Sequence, residues 1–236
     1  MKKHLLLFLS VIFSLSLFAA PKYEFRANWC ATVTNIDWPT TKVTDEASRT
    51  AQQKELTDIL DALQAGNINA VCLQVRSLSD ALYASSYEPW AVCLTGTRGK
   101  DPGYDPLKFA IDECHKRGME LHVWINPYRV TSEKLTTGSN PYSDLPADDK
   151  LYTHGESQLS GKVIKYQNGE KYGQVLDPGY PEVREHIVKV LQEIVTNYDI
   201  DGMLMDDYFY PTGAEDYDAV SQSKHFNQAN IEDFNH

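Results

Sequence analysis

The stretch NAVCLQV, Asn69–Val75, is almost continuously apolar. A strand with one wet face alternates apolar and polar residues, whereas a strand buried on both faces does not. Stripes with helical spacing lie on either side of it. Leu56, Ile59, Leu60 and Leu63 fall at i, i+3, i+4 and i+7, and Leu107, Ala110, Ile111 and Cys114 repeat that spacing. Gly66 is placed to cap the first helix and Gly118 to end the second. FRANWCATV (Phe25–Val33) reads as an earlier strand, MELHVWI (Met119–Ile125) as a third and DGMLM (Asp201–Met205) as a fourth. A third helix starts after Pro181, with Val183, Ile187, Val190, Leu191 and Ile194 on its inner face. Repeated strand–helix units predict a parallel sheet with right-handed crossovers. An open doubly wound sheet and a closed (β/α)8 barrel both meet that description. No GxGxxG or GxxxxGK[ST] follows any of the strands, so no nucleotide-binding signature favours the open sheet.

Two long insertions interrupt the repeat, one from about Leu78 to Gly103 and one from about Val130 to Gln174. The second contains Asn168-Gly169, a strong hairpin signal. Both follow the C-terminal ends of strands, the edge on which parallel α/β folds build their sites. The N-terminus reads differently. Lys2 and Lys3 precede an apolar core from Leu5 to Phe18, and Ala19 and Ala20 offer small residues for cleavage. That is the pattern of a signal peptide over residues 1–20, too short for a comfortable bilayer span. The remaining 21–236 would form one domain of an exported protein, periplasmic or extracellular, with no stable membrane span after cleavage. The four cysteines, Cys30, Cys72, Cys93 and Cys114, show no CxxC or Cys/His metal spacing and read as buried free thiols.

The net charge of −11 and pI near 5.0 exclude a phosphate-backbone partner, which needs a basic face. No metal site is expected, since the seven histidines include no HExxH and no EF-hand loop is present. No cofactor is expected either.

The candidates for chemistry gather at strand ends. Strand one passes Arg26 and Trp29 and runs into Asn35 and Asp37. Strand two delivers Gln74, Arg76 and Asp80, and strand three Trp124, Asn126, Tyr128 and Arg129. An extended piece after the hairpin delivers Asp177. Strand four ends in Asp206 and Asp207, walled by Tyr208, Phe209 and Tyr210. Trp90 lies in the first insertion. Acids, amides, arginines and aromatics together suit a carbohydrate: rings stack on sugar faces, and amides and acids bind hydroxyls. Several of these residues also have plain structural readings. Arg76 and Arg129 can neutralise carboxylates, Trp29 and Trp124 can be core, Asp201 can serve a turn, and His122 can sit in the sheet wall. The adjacent acids Asp206 and Asp207 resist such a reading, because burying carboxylates is costly unless they are paired.

FRANWCATVTNIDWP, NAVCLQVRSLSDALYASSYEPW, DPLKFAIDECHKRGMELHVWINPYR, LDPGYPEVREHI and DGMLMDDYFYP together resemble the glycosyl-hydrolase-like family 10 domain, found in exported bacterial proteins related to TIM-barrel glycosidases. The resemblance covers about Phe25 to Pro211. It implies the N-terminal half of a (β/α)8 TIM-type barrel with long loops after strands two and three. It also implies hydrolysis of glycosidic bonds in a polysaccharide or a peptidoglycan glycan. Family domains continue past DDYFYP, so the resemblance marks this barrel domain as incomplete. In related barrel enzymes the strand-four aspartate after an Asp-Gly start is often the nucleophile, which points to Asp206, with Asp207 the alternative. The substrate contacts would come from Arg26, Trp29, Gln74, Arg76, Asp80, Trp90, Asn126, Arg129, Asp177, Tyr208 and Tyr210. The acid/base partner is expected on a later strand that this chain lacks, which would leave the chain inactive alone; were the site complete within these residues, the partner would have to come from Asp80, Glu88, Asp144, Glu156 or Asp177. The competing expectation is a non-catalytic carbohydrate-binding protein or an inactive fragment of such an enzyme.

Overall fold

A computed structural model describes residues 24–135, 159, 162–168 and 171–207. The expected signal segment, Asp144, Glu156, Tyr208 and Tyr210 lie outside the described residues.

Four strands form one parallel sheet: β1 (Ala27–Cys30), β2 (Ala70–Arg76), β3 (Glu120–Ile125) and a strand near the end of the described residues, Gly202–Met205. Each is shorter or shifted by a residue or more from its apolar run, because only the ladder-paired residues count as strand. Between them run α1 (Glu46–Ala65), the short α2 (Val92–Thr95), α3 (Pro106–Lys116) and α4 (Pro181–Asn197). Asp45 opens α1 with a capping box: its carboxylate accepts from the Ser48 N–H at 2.8 Å, and the Ser48 hydroxyl accepts from the Asp45 N–H at 2.9 Å. Pro106 and Pro181 open α3 and α4, where a missing N–H costs nothing.

The strands stand in the order in which the chain makes them. Cys30, Leu73, Val123 and Met203 are level across the sheet and point to the same side. Leu56 and Leu60 of α1, Leu107, Ala110 and Ile111 of α3, and Val190 and Ile194 of α4 all pack into one core with them. Sequential order with every long helix on one face is the winding of a barrel wall; a doubly wound sheet reverses and places helices on both faces. The chain therefore folds as the first four strands of a (β/α) barrel, as its sequence predicts.

The opposite face, the inner wall of such a barrel, carries Trp29, Cys72, His122 and Gly202 at one level and Gln74, Trp124 and Leu204 above them. Phe25 and Trp29 are 60% and 49% exposed on this side. Trp29 meets Trp124 edge-on at 4.6 Å, and Phe25 meets His122 at 5.2 Å. Gly202 is required here: a Cβ at that position would lie 2.2 Å from His122 Nδ1.

The second insertion builds its own antiparallel sheet in the order β4 (Arg129–Leu135), β6 (Lys171–Leu176), β5 (Val163–Asn168); the parallel strand Gly202–Met205 is β7. The expected hairpin is present, closed by the pairing of Asn168 with Lys171. Val130, Leu159 and Leu176 pack on Val183 and Ile187 of α4 as a second small core. β4 is a strand that the polar sequence RVTSEKL does not announce.

Candidate active site

In a parallel sheet all strands end on the same edge, so residues distant in sequence meet there. Asp206 continues the β7 ladder, donating its N–H to the Ile125 carbonyl at 3.0 Å. At Asp207 the backbone turns, with φ +58°. That left-handed conformation costs a non-glycine residue about 1 kcal/mol. It swings the Asp207 carboxylate back over the end of β3 and the start of β4. There Oδ2 meets the Arg129 guanidinium and accepts from Asn126 Nδ2 at 3.3 Å. Burial raises the Asp207 pKa above the ordinary aspartate value, and the Arg129 contact opposes this without cancelling it. The neighbouring Asp206 charge pushes the same way as burial.

Asn126 is held in turn. Gln74 Nε2 donates to Asn126 Oδ1 at 3.2 Å. Gln74 Oε1 accepts from the backbone N–H groups of Thr32 and Val33, both at 2.9 Å, in the loop after β1. Beneath them Arg76 is completely buried. Its Nη1 donates to the Asn126 carbonyl and, at 3.0 Å, to that of Pro127. Its Nη2 donates to Ser79 Oγ at 3.1 Å, and Ser79 Oγ donates to the Arg129 carbonyl at 2.9 Å. Its Nε donates to Glu88 Oε2 at 2.7 Å, and His186 of α4 closes on Glu88 Oε1 at 3.0 Å. Burial alone would raise the Glu88 pKa; Arg76 and His186 overcome it and hold it at about 2.

This geometry reassigns several expected contact residues. Gln74, Arg76 and Asp80 are fully buried and engaged inside the protein, so they support the site rather than face a ligand. Asp80 accepts from the N–H groups of Leu78 and Val92 and organises the first insertion. Glu88, a candidate partner acid, is the counter-ion of Arg76. Asp177 shapes the turn into α4, accepting from the Gly179 N–H at 2.8 Å. Arg26 lies at the other edge of the sheet, because it precedes β1. It pairs there with Glu24 at 2.8 Å and donates to the Asn67 carbonyl. Trp90 is half-buried and bridged to Ala81. Asp206, Asp207 and Arg129 remain open to solvent in part.

Asp201 has a structural role, through an ion pair and a backbone contact rather than the expected turn, and the reading of the cysteines holds. Asp201 accepts from the Leu121 N–H and pairs with His115, both at 2.8 Å. The four cysteines are buried free thiols. Glu88, Ser79 and His186 were not anticipated as part of this network. The available signal was an arginine inside a buried strand, which demands a counter-ion nearby.

Backbone strain marks the same edge. Of the five non-glycine residues with positive φ among those described, Thr34, Asn35, Ser79 and Asp207 follow strand ends, and only Asn67 lies elsewhere. Among the described residues no cluster of three or more His, Cys, Asp or Glu is placed to hold a metal ion. No described helix is long and apolar enough to cross a membrane.

Comparison with known proteins agrees with the motifs. The chain is 45% identical over 188 residues to the glycosyl hydrolase YngK of Bacillus subtilis (strain 168), covering 80% of this chain and 34% of that protein. It is 39% identical over 193 residues to the glycosyl hydrolase DigH of Escherichia coli (strain K12), covering 78% of this chain and 42% of that one. The chain thus spans between a third and a half of the length of these relatives. Among solved structures it is similar to a GH20 exo beta-N-acetylglucosaminidase from Vibrio harveyi, with a TM-score of 0.46, 14% identity and coverage of 92% of this chain and 31% of that one. The family model described as glycosyl hydrolase-like 10 matches residues 24–235, and the chain belongs to that family.

Proposed function

We propose that this chain carries the carboxylate-bearing wall of a glycoside-hydrolase cleft, acting on a cell-wall glycan or another polysaccharide. The observation that carries the reading is the convergence of a buried, cross-strand polar network on Asp207, beside Asp206, at the C-terminal edge of the sheet. Glycosidases work with two carboxyl groups, one protonating the leaving oxygen and the other attacking the sugar or activating water. Asp206 stands after the Asp-Gly start of β7 and, by strand alternation, shares the inner side with Leu204, which suits attack on a sugar in the barrel mouth. Asp207 is steadied by Arg129 and Asn126 and holds a proton more readily than an ordinary aspartate. The protein would be exported with its mature form starting near Pro21, which N-terminal sequencing of secreted material decides.

A second reading is a glycan-binding protein without turnover. The internal pairing of Asp80 and Glu88 favours it, since it removes two candidates for the partner acid. Incubation with soluble cell-wall glycan strands separates the readings. Hydrolysis that Asp206→Asn reduces by roughly three orders of magnitude or more supports the enzyme. If Asp207→Asn alone has that effect, the nucleophile is reassigned. Binding without cleavage supports the second reading, and absence of both overturns the assignment of this edge to glycan.

A further inference from the structure

The amide groups of Gln74 and Asn126 form a hydrogen-bond chain with only one possible direction. Backbone N–H groups donate and cannot accept. Thr32 and Val33 both point theirs at one Gln74 side-chain atom, so that atom must be the oxygen. The Gln74 NH2 is thereby turned towards β3. The Asn126 atom facing it must be the oxygen, at 3.2 Å. That leaves the Asn126 NH2 for Asp207, at 3.3 Å. The Arg76 guanidinium grips the Asn126 carbonyl from below, so Asn126 cannot leave the line by moving its backbone. Gln74 is fully buried, and Asn126 is 1% exposed.

We propose that Gln74 is a positioning residue which, through Asn126, dictates that a donor rather than an acceptor faces the Asp207 carboxylate. This deepens the glycosidase reading and rests on it for its purpose, but not for its test. The chain of amides links the loop after β1 to the end of β7 across all four strands. Its polarity stabilises the ionised form of Asp207, because a carboxylate accepts from an N–H more strongly than a protonated carboxyl does. Burial and the Asp206 charge work the other way, and Arg129 works with the relay. The relay favours the ionised form of Asp207 in a position where burial disfavours it.

The test is site-resolved NMR on the labelled chain, with no substrate present. In the unmodified chain the Asn126 side-chain NH2 signals should shift with the same midpoint as the Asp207 carboxyl carbon. That dependence should vanish in Asp207→Asn. An Asn126 amide indifferent to Asp207 titration overturns the proposal, and this arm needs no core substitution. Gln74→Glu supplies the second arm. A carboxylate there still accepts from Thr32 and Val33 but cannot donate, so Asn126 must flip and present its oxygen to Asp207. The proton affinity of Asp207 should rise about tenfold. The added charge also acts through space, so the same substitution is made on Asn126→Ala, where only that direct effect survives. A much smaller rise there supports the relay, and an equal rise in both backgrounds overturns it. Because neither arm reads turnover, failure of the glycosidase assignment leaves these outcomes unchanged, and failure here leaves hydrolysis to be judged by its own assay.

Discussion

β7 has an aspartate at each end, and the two live in opposite circumstances. Asp201, just before the strand, is a third exposed and pairs with His115 and the Leu121 N–H. Burial pulls its pKa upward, but those two contacts outweigh it and leave the carboxyl below its ordinary value. Asp207, just after the strand, has a cation and an amide against it, yet its pKa is raised. The same contrast divides the whole sheet. The N-terminal edge is tied by half-wet pairs: Arg26 with Glu24, His122 with Glu120, Asp201 with His115. The C-terminal edge is tied by buried groups from β2, β3, α4 and two loops that converge on one carboxylate. Polar residues at a strand end therefore do not distinguish structure from function. What separates these two is whether the contacts favour the charge they surround or leave it disfavoured.

The largest effect should come from breaking the buried pair. Glu88→Ala strands the Arg76 guanidinium without a counter-ion, and removing one partner of a buried pair costs about 3–5 kcal/mol. Chemical denaturation should show that loss. The pH dependence checks its origin. Because the folded Glu88 pKa is depressed to about 2, its contribution is present above its unfolded value and is lost as pH falls. Wild-type stability should decline between about pH 4, near a free glutamate, and about pH 2, and Glu88→Ala should lack that part of the decline.

The inner wall gives a middle effect. Gly202→Ala forces a methyl group into His122, and overpacking of this kind costs about 1–3 kcal/mol. Thermal melting should show a lowered midpoint, and pairing it with His122→Ala should restore much of the loss. An unchanged midpoint for Gly202→Ala alone would mean that β3 and β7 separate more easily than the register implies.

The smallest effects carry opposite signs. Asp201 has a depressed pKa, so it stabilises the fold above its unfolded value and the contribution fades as pH falls. Asp201→Asn should destabilise at neutral pH, by less than about 1 kcal/mol after allowance for its exposure. Asp207 has a raised pKa, so its ionisation opposes folding as pH rises beyond the unfolded value. Asp207→Asn should leave the neutral-pH melting temperature unchanged or raise it. If both variants lower it equally, the two ends of β7 do not differ as described.

Much of this architecture was legible in residue patterns, for a physical reason. The long helices, β2 and β3 bury continuous runs or regular stripes, and burial leaves a periodic trace. The pairing of Asp206 and Asp207 at a strand end was visible because two adjacent acids directly after an apolar run stand out, although β7 itself is only partly buried. What the sequence hid was direction and partnership. Nothing in DGMLMDD reveals the left-handed turn at Asp207 that aims its side chain at Asn126 and Arg129. Gln74, Arg76 and Asp80 read as ligand contacts because strand-end polar residues look alike in one dimension. Only the register of β2 against β3, and the fold of the first insertion over them, shows that these side chains are sealed inside. Arg26 was misplaced by a simpler error of edge, since it enters β1 rather than leaving it. β4 escaped notice because RVTSEKL shows no alternation of apolar and polar residues.

We propose that the C-terminal edge of the sheet, and not the N-terminal edge, meets the glycan. Amide and side-chain NMR of the labelled chain during addition of soluble cell-wall glycan strands tests it directly. Saturable shifts are expected at Asn126, Arg129, Asp206 and Asp207 and in the loops that follow β1 and β2, with Arg26, Asn69 and Asp201 unmoved. Shifts confined to Arg26, Asn69 and Asp201, or an unperturbed C-terminal edge at saturating glycan, would contradict it.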